Sequence, residues 1–329
     1  MAILVTGGAG FVGLNVVHAL LERGDEVVLF DAGDLPPGAE RTLRPWQRSL
    51  TIERGSVVDA AAVASVLERR PIDRVIHAAA ITSGPVREAR QPADIVEVNL
   101  TGTVNVLDAA RRHRVKRFVY VGSGAAYGES LYRLPRLHEE APSTPTTLYS
   151  ITKHAAERMC LRLSELWSID VLCVRLGTVI GPWERNTGAR DNYGTHTQLA
   201  GRAVAGKTAI LPLEQVQRDW IYAPDVATAL SQLVHAPTHA HSVYNVSSGA
   251  AWSDPVTRWC EALSRKYPRF QHRTASAEAA ANIWYTDRDR GLMDIGRLVM
   301  ETGFEPHTME AAYTAYLDWI EATPEFFPH

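Results

Sequence analysis

Cysteine is scarce in this chain: 3 among 329 residues, Cys160, Cys173 and Cys260, at no metal-ligand spacing. That count excludes a disulfide framework and points to a reduced compartment. A surplus of one charge sign is also missing. The net charge of -3 gives no reason to expect nucleic acid or a membrane surface as partner. No apolar run approaches the roughly 18 residues that span a bilayer. The apolar stretch at residues 2–5 is too short for a secretory leader and runs straight into glycines, so a cytoplasmic location is expected. His77, His113 and His196 fall at no ligand spacing and read as packing or surface residues, and no metal is expected. The basic stretch 111–117 ends a helical pattern, where cations complement the helix dipole.

What is present is ordinary for a globular fold: 46% apolar and 22% charged residues. The length suits one large domain or two modest ones. Residues 3–5, 26–30, 75–77 and 118–121 read as buried strands, separated by amphipathic stretches at 13–23, 60–69 and 92–112. A helix at 149–167 and a strand at 171–175 continue the alternation. The pattern predicts an α/β fold, a doubly wound parallel sheet with helices on both faces. After residue 176 the rhythm breaks. Residues 177–194, rich in Gly, Asn, Arg and Asp, read as a long functional loop. Helical patterns at 197–205, 225–235 and 310–322 and a strand at 243–247 follow. The expected division is a nucleotide domain at 1–176, rejoined by 218–247, and a smaller C-terminal substrate domain from 177–217 and 248–329.

Chemistry begins at Thr6-Gly7-Gly8-Ala9-Gly10-Phe11-Val12-Gly13, between the first strand and the first helix. Gly7 permits the tight turn, Gly10 lets the backbone approach a pyrophosphate, and Gly13 lets the helix pack on the sheet. The helix N-terminus then offers N–H groups and a positive dipole end to phosphates. Asp31 ends the second strand. An acid there accepts from the adenosine ribose hydroxyls and repels the extra phosphate of NADP, so NAD is the expected cofactor. Further along, Tyr149-Ser150-Ile151-Thr152-Lys153 places a tyrosine and a lysine one helical turn apart, on one face. A tyrosine of pKa near 10 becomes a useful base when an ammonium stabilises its phenolate. Ser123 follows the strand at 118–121, at the carboxyl edge where open α/β sheets bind ligands.

These features together resemble the extended short-chain dehydrogenases/reductases, the NAD-dependent epimerase/dehydratase family, over nearly the whole chain. The resemblance implies a Rossmann-type fold and a catalytic set of Ser123, Tyr149 and Lys153. It implies cofactor contacts from Gly7, Gly10, Phe11, Val12, Gly13, Asp31, Val58, Asp59, Ala78, Ala79, Ala80, Asn99, Tyr149 and Lys153. It also implies a homodimer, paired through the helices at 92–112 and 149–167. Arg218-Asp219-Trp220-Ile221-Tyr222 with Asp225-Val226-Ala227 resembles the family's signature at the domain crossover.

The chain departs from the pattern at the substrate. Family members acting on nucleotide sugars carry an asparagine where Thr178 stands, and an arginine near the place of Trp284, with Arg288 and Arg290 close by. Arg218 is retained. The loop at 181–193 supplies Arg185, Arg190, asparagines and Tyr193, able to read an anionic, hydroxylated ligand. Expected substrate contacts are therefore Ser123, Tyr149, Thr178, Arg185, Arg190 and Arg218, on a sugar-like small molecule. Three functions remain open: a nucleotide-sugar 4-epimerase, which is favoured; an NAD-dependent dehydrogenase of a sugar, sugar acid or small hydroxy acid; and a non-catalytic NAD-binding protein. A dehydratase is disfavoured, because Gly124-Ala125-Ala126 lacks the acid pair that family dehydratases place beside the serine.

Overall fold

The structure is a computed structural model that describes residues 2–191, 193–214, 216–277, 280–284 and 288–327. Asn192, one of the expected loop residues, lies outside the described residues. Seven parallel strands form the central sheet: β1 (Ala2–Thr6), β2 (Glu26–Asp31), β3 (Leu50–Arg54), β4 (Ile72–His77), β5 (Arg117–Val121), β6 (Val171–Leu176) and β7 (Val243–Val246). Their spatial order is 7-6-5-4-1-2-3, so the chain reverses direction across the sheet between β1 and β4. Ligands bind outside the carboxyl ends of the strands at such a switch point.

Alternation along each strand builds two cores. In β1, Ile3 and Val5 face one side with Leu14, Val17 and Leu20 of helix α1 (Phe11–Arg23). Leu230 and Leu233 of helix α6 (Ala223–His235) complete that layer. Ala2 and Leu4 face the other side. There they meet α2 (Ala60–Arg69), α3 (Gly102–Arg112) and α4 (Leu148–Trp167) through Val63, Val106 and Ala156. The period of two sends successive side chains to opposite faces, which is why the strands read as continuous apolar runs.

A third apolar cluster joins α5 (Thr195–Val204), α7 (Pro255–Lys266) and α8 (Met309–Ala322). Trp259 stacks on Tyr316 at 5.1 Å and 8°. Trp220 and Tyr222 pack in this cluster. The tail then returns to the sheet, because Leu298, Phe304 and Phe326 pack with the first core.

Several elements differ from the sequence reading, including these three. Edge strand β3 was not expected, since its polar residues are partly exposed and Ile52 is 54% exposed, leaving no buried run to read. The helical stretch 92–112 is broken into Pro92–Val96, a wide turn at Glu97–Thr101, and α3. The loop after β6 contains a strand, Thr178–Ile180, paired in parallel with Trp220–Tyr222. Three-residue strands are too short to show a period. Among the described residues, no helix is long and apolar enough to cross a membrane.

Candidate active site

A cavity of about 1250 Å³ opens along the carboxyl edge of the sheet. It is larger than most small-molecule pockets and has room for a dinucleotide and a second ligand. Its floor is the glycine loop. Gly7 adopts a left-handed φ of +68°, and a Cβ there would lie 2.6 Å from the Ala79 nitrogen. The loop and the segment Ala78–Ala79–Ala80 therefore touch, and both line the cavity. Gly13 sits so close to Gly7 that an added Cβ would meet the Gly7 carbonyl at 2.0 Å. Gly10 starts α1 with no side chain capping the helix, and no acid lies in its first turn. Uncapped N–H groups and an unopposed dipole end fit a diphosphate.

Asp31 stands at the end of β2, on the cavity wall. Its carboxylate accepts from Ala9 N at 2.9 Å and Gly33 N at 2.8 Å. Those bonds fix its orientation and leave lone pairs for ribose hydroxyls. The neighbouring corner is lined by Gly55, Ser56 and Val57. Asp59, expected to contact the cofactor, turns its carboxylate to cap α2, accepting from Ala61 N and Ala62 N at 3.0 Å. Val58 offers its carbonyl to Asn105 at 3.0 Å. Asn99 is buried behind the wall. It accepts from Ile81 N at 2.8 Å and donates to the Ile81 carbonyl and to Thr152 Oγ1, both at 3.0 Å. It thus fastens the segment after β4 to α4, between Tyr149 and Lys153. Nothing in the sequence pattern distinguishes that bracing use of an asparagine from ligand contact.

Ser123, Tyr149 and Lys153 all line this cavity. Ser123 follows β5, and its Oγ accepts from Ala125 N at 3.1 Å, capping a short turn. Tyr149 lies in the first turn of α4, which is held by a capping box: Ser150 N donates to Thr147 Oγ1 at 3.2 Å, and Thr147 N to Ser150 Oγ at 3.0 Å. Glu88 accepts from Tyr149 N at 3.1 Å and pins that turn from outside. Lys153 is buried, donating to the Val121 carbonyl at 2.9 Å with its ammonium 5.2 Å from the Tyr120 ring centre. Burial pushes its pKa down to about 8, so it is mostly charged at neutral pH. The strand end that carries Ser123 thereby grips the lysine of the helix that carries Tyr149.

At the other end the cavity is lined by Thr178, Arg218, Asp219, Trp220, Trp284 and Arg290. Thr178 donates its N–H to the Asp219 carbonyl at 2.6 Å. Asp219 is buried beside Arg218, accepts from Ser247 Oγ and from Met293 N, and is pushed up to about 7 by burial. Arg290 reaches the same space beside Tyr132, with its Nε buried. Its place on this wall was open in the sequence, because only the path of residues 288–294 brings it there. The two loop arginines line the same cavity, with their bonds made toward β2 and α1. Arg185 Nη2 donates to the Asp34 carbonyl, beyond β2. Arg190 pairs with buried Glu184 at 2.6 Å and lies 5.5 Å from the Phe11 ring centre.

Two of the three histidines weighed from the sequence are buried. His77 bonds Thr6 Oγ1 at 2.6 Å and Thr103 Oγ1 at 3.0 Å, and burial pushes it to about 3. His196 bonds Tyr313 Oη at 2.8 Å, edge-on to Trp220, and burial pushes it to about 3 as well. A folded pKa below the ordinary 6.5 means the unfolded chain takes up a proton that the fold refuses. Stability from His196 is complete above about pH 6.5 and falls toward pH 3, by up to ~1.4 kcal/mol per pH unit. His196→Gln should flatten that acid limb in urea titrations run at a series of pH values. An acid limb of unchanged slope would refute the assignment.

Comparison with known proteins agrees with this geometry. The profile of the NAD dependent epimerase/dehydratase family matches residues 3–247. The dTDP-glucose 4,6-dehydratase of Mycolicibacterium smegmatis is 28% identical over 333 residues, covering 99% of this chain and 95% of that protein. The UDP-glucose 4-epimerase of Halalkalibacterium halodurans is 34% identical over 181 residues, 55% of this chain and 52% of that protein. In fold, the chain is similar to the Thermus thermophilus UDP-glucose 4-epimerase in complex with NAD. The TM-score is 0.76 at 24% identity, covering 99% of both chains. With the family profile spanning the sheet from β1 to β7, the chain belongs to the NAD-dependent epimerase/dehydratase family and is an NAD-dependent enzyme.

Proposed function

We propose that the chain is a nucleotide-sugar 4-epimerase. One observation carries the reading: a single cavity holds Ser123 and Tyr149 beside the glycine loop, and Arg218 and Arg290 beyond them. An arginine pair suits the diphosphate of a nucleotide sugar, and Arg290 offers the second cation that Trp284 had displaced in the sequence comparison. NAD, when bound against the glycine loop and Asp31, supplies a hydride acceptor that later gives the hydride back. Ser123 holds the reacting hydroxyl, and Tyr149 Oη takes its proton. Lys153, charged and buried, lines the same cavity and adds positive charge to it. After the sugar turns over, Tyr149 returns the proton. Gly124 and Ala125 beside Ser123 supply no carboxyl group for eliminating water, which separates the reading from the dehydratases among the relatives. The third apolar cluster is the substrate-binding unit of this reading. A homodimer of the kind the family resemblance implies would pair the helices at 92–112 and 149–167, on which Val96 and Ile151 are 38% and 44% exposed.

Thr178 and Trp284 favour a second reading, an NAD-dependent dehydrogenase of a sugar, sugar acid or small hydroxy acid, since neither residue is the family's diphosphate contact. The two readings part on electron balance. The purified protein, given UDP- or dTDP-hexoses without added NAD, should invert the sugar at C4, seen by NMR, with no NADH accumulating. Steady NADH formation with added NAD and no inversion would replace the epimerase by the dehydrogenase.

A further inference from the structure

The loop after β6 crosses the dinucleotide groove from one side to the other. Arg185 Nη2 donates to the carbonyl of Asp34, just past β2. The guanidinium of Arg190 lies over Phe11, at the start of α1 just past β1. Ala189 O accepts from Thr82 N at 2.7 Å, and Asp191 N donates to Thr82 O at 3.3 Å, past β4. The Asp191 carboxylate accepts from Gly84 N at 2.8 Å and pairs with Arg87 at 2.6 Å. Strands β2, β1 and β4 are consecutive neighbours in the sheet. The loop therefore touches their three carboxyl ends in spatial order, passing above the glycine loop between them. Residues 185–190 line the cavity that the glycine loop floors.

We infer that residues 184–191 are a strap over the cofactor, and that Arg185 is a cofactor-side residue rather than a substrate contact. Arg185 stands at the adenosine end, within electrostatic reach of Asp31 and Asp34, and its Nε is buried with no hydrogen-bond partner among the described residues. A donor so placed can reach the adenosine half of a dinucleotide seated between Asp31 and the loop. At the opposite end the Asp191–Arg87 pair is about four-fifths buried, so water screens it less than a surface pair. Buried Glu184 fixes the base of the strap, accepting from Arg190, from Gly194 N at 3.0 Å and from Thr197 Oγ1. A dinucleotide lying beneath leaves only when one of these anchors lets go.

The inference rests on NAD as the cofactor and not on the choice of sugar, so its test contains no sugar. The purified protein is loaded with NADH, and release is followed by the loss of bound NADH fluorescence when excess NAD is added. Arg185→Ala and Asp191→Ala sit at opposite anchors on a partly exposed loop. Each should speed release about tenfold, the effect of losing one charge-assisted contact. Release rates within twofold of wild type in both variants would overturn the strap. Faster release in both variants, with no C4 inversion by the wild-type protein in the separate sugar assay, would overturn the epimerase reading alone and leave the strap standing.

Discussion

Tyr149→Phe is expected to lower kcat by about a thousandfold, the scale of a lost general acid–base group, while NADH binds as in wild type. The substitution removes one oxygen and keeps the ring. Tyr149 contributes its backbone N–H to Glu88 and its carbonyl to Thr152 Oγ1, and both survive. The capping box of α4 belongs to Thr147 and Ser150 and is untouched. Lys153 keeps its bond to the Val121 carbonyl. The helix therefore stays in place, and only the group that moves the proton is lost. The check is paired: steady-state inversion of the sugar on one side, NADH titration on the other. Turnover within tenfold of wild type would remove Tyr149 from the proposed mechanism. Loss of NADH binding in parallel with turnover would mean that its hydroxyl serves the cofactor and not the proton.

Gly13→Ala should cost cofactor affinity by a factor of about a hundred or more and destabilise the fold by roughly 1–3 kcal/mol, as overpacking does. The new Cβ would lie 2.0 Å from Gly7 O, 2.7 Å from Gly7 C and 2.9 Å from Gly8 Cα. All three are backbone atoms of the turn, so no side chain can swing aside. Either α1 lifts from the sheet or the turn opens, and both disperse the N–H groups that face the diphosphate. Gly10→Ala is the informative contrast. Its Cβ has one close neighbour, the Gly7 carbonyl at 3.1 Å, and tolerates it with a small shift. A methyl there obstructs the backbone's approach to the pyrophosphate, so affinity should fall with little change in stability. Urea titrations of the cofactor-free proteins and NADH titrations separate the two effects. Equal stability losses in both variants would show that the packing argument is misplaced.

Fold and site were legible in the chain to different depths. Glycines 7, 10 and 13, the tyrosine and lysine one turn apart, and Ser123 after a strand are local patterns. Their meaning follows from the 3.6-residue turn and the strand period, and the structure brings them to one cavity. Strand β3 escaped because an edge strand keeps half its side chains in water and shows no apolar run. The wide turn at Glu97–Thr101 escaped because one inserted backbone residue leaves the helical pattern almost unchanged. Asp59 and Asn99 occupy positions that resemblance ties to the cofactor, and the structure adds a second use for each: the Asp59 carboxylate caps α2 and the Asn99 amide braces Ile81 against α4.

The family and its NAD cofactor were legible in the sequence alone, through a glycine loop between strand and helix, an acid at the end of β2, and a serine, a tyrosine and a lysine at the family's positions. Each signal is short and local, a glycine turn, a strand end or one helical turn, where covalent geometry leaves little choice. The destinations of the arginines were decided only by the tertiary structure. Arg185 crosses to Asp34, Arg190 settles over Phe11 against buried Glu184, and Arg290 arrives beside Arg218 from a distant segment. A long, charged side chain on an irregular loop carries no periodicity, and the strand ends it reaches lie far away in the chain. Its role is settled by where the backbone passes, and that is a property of the packed fold.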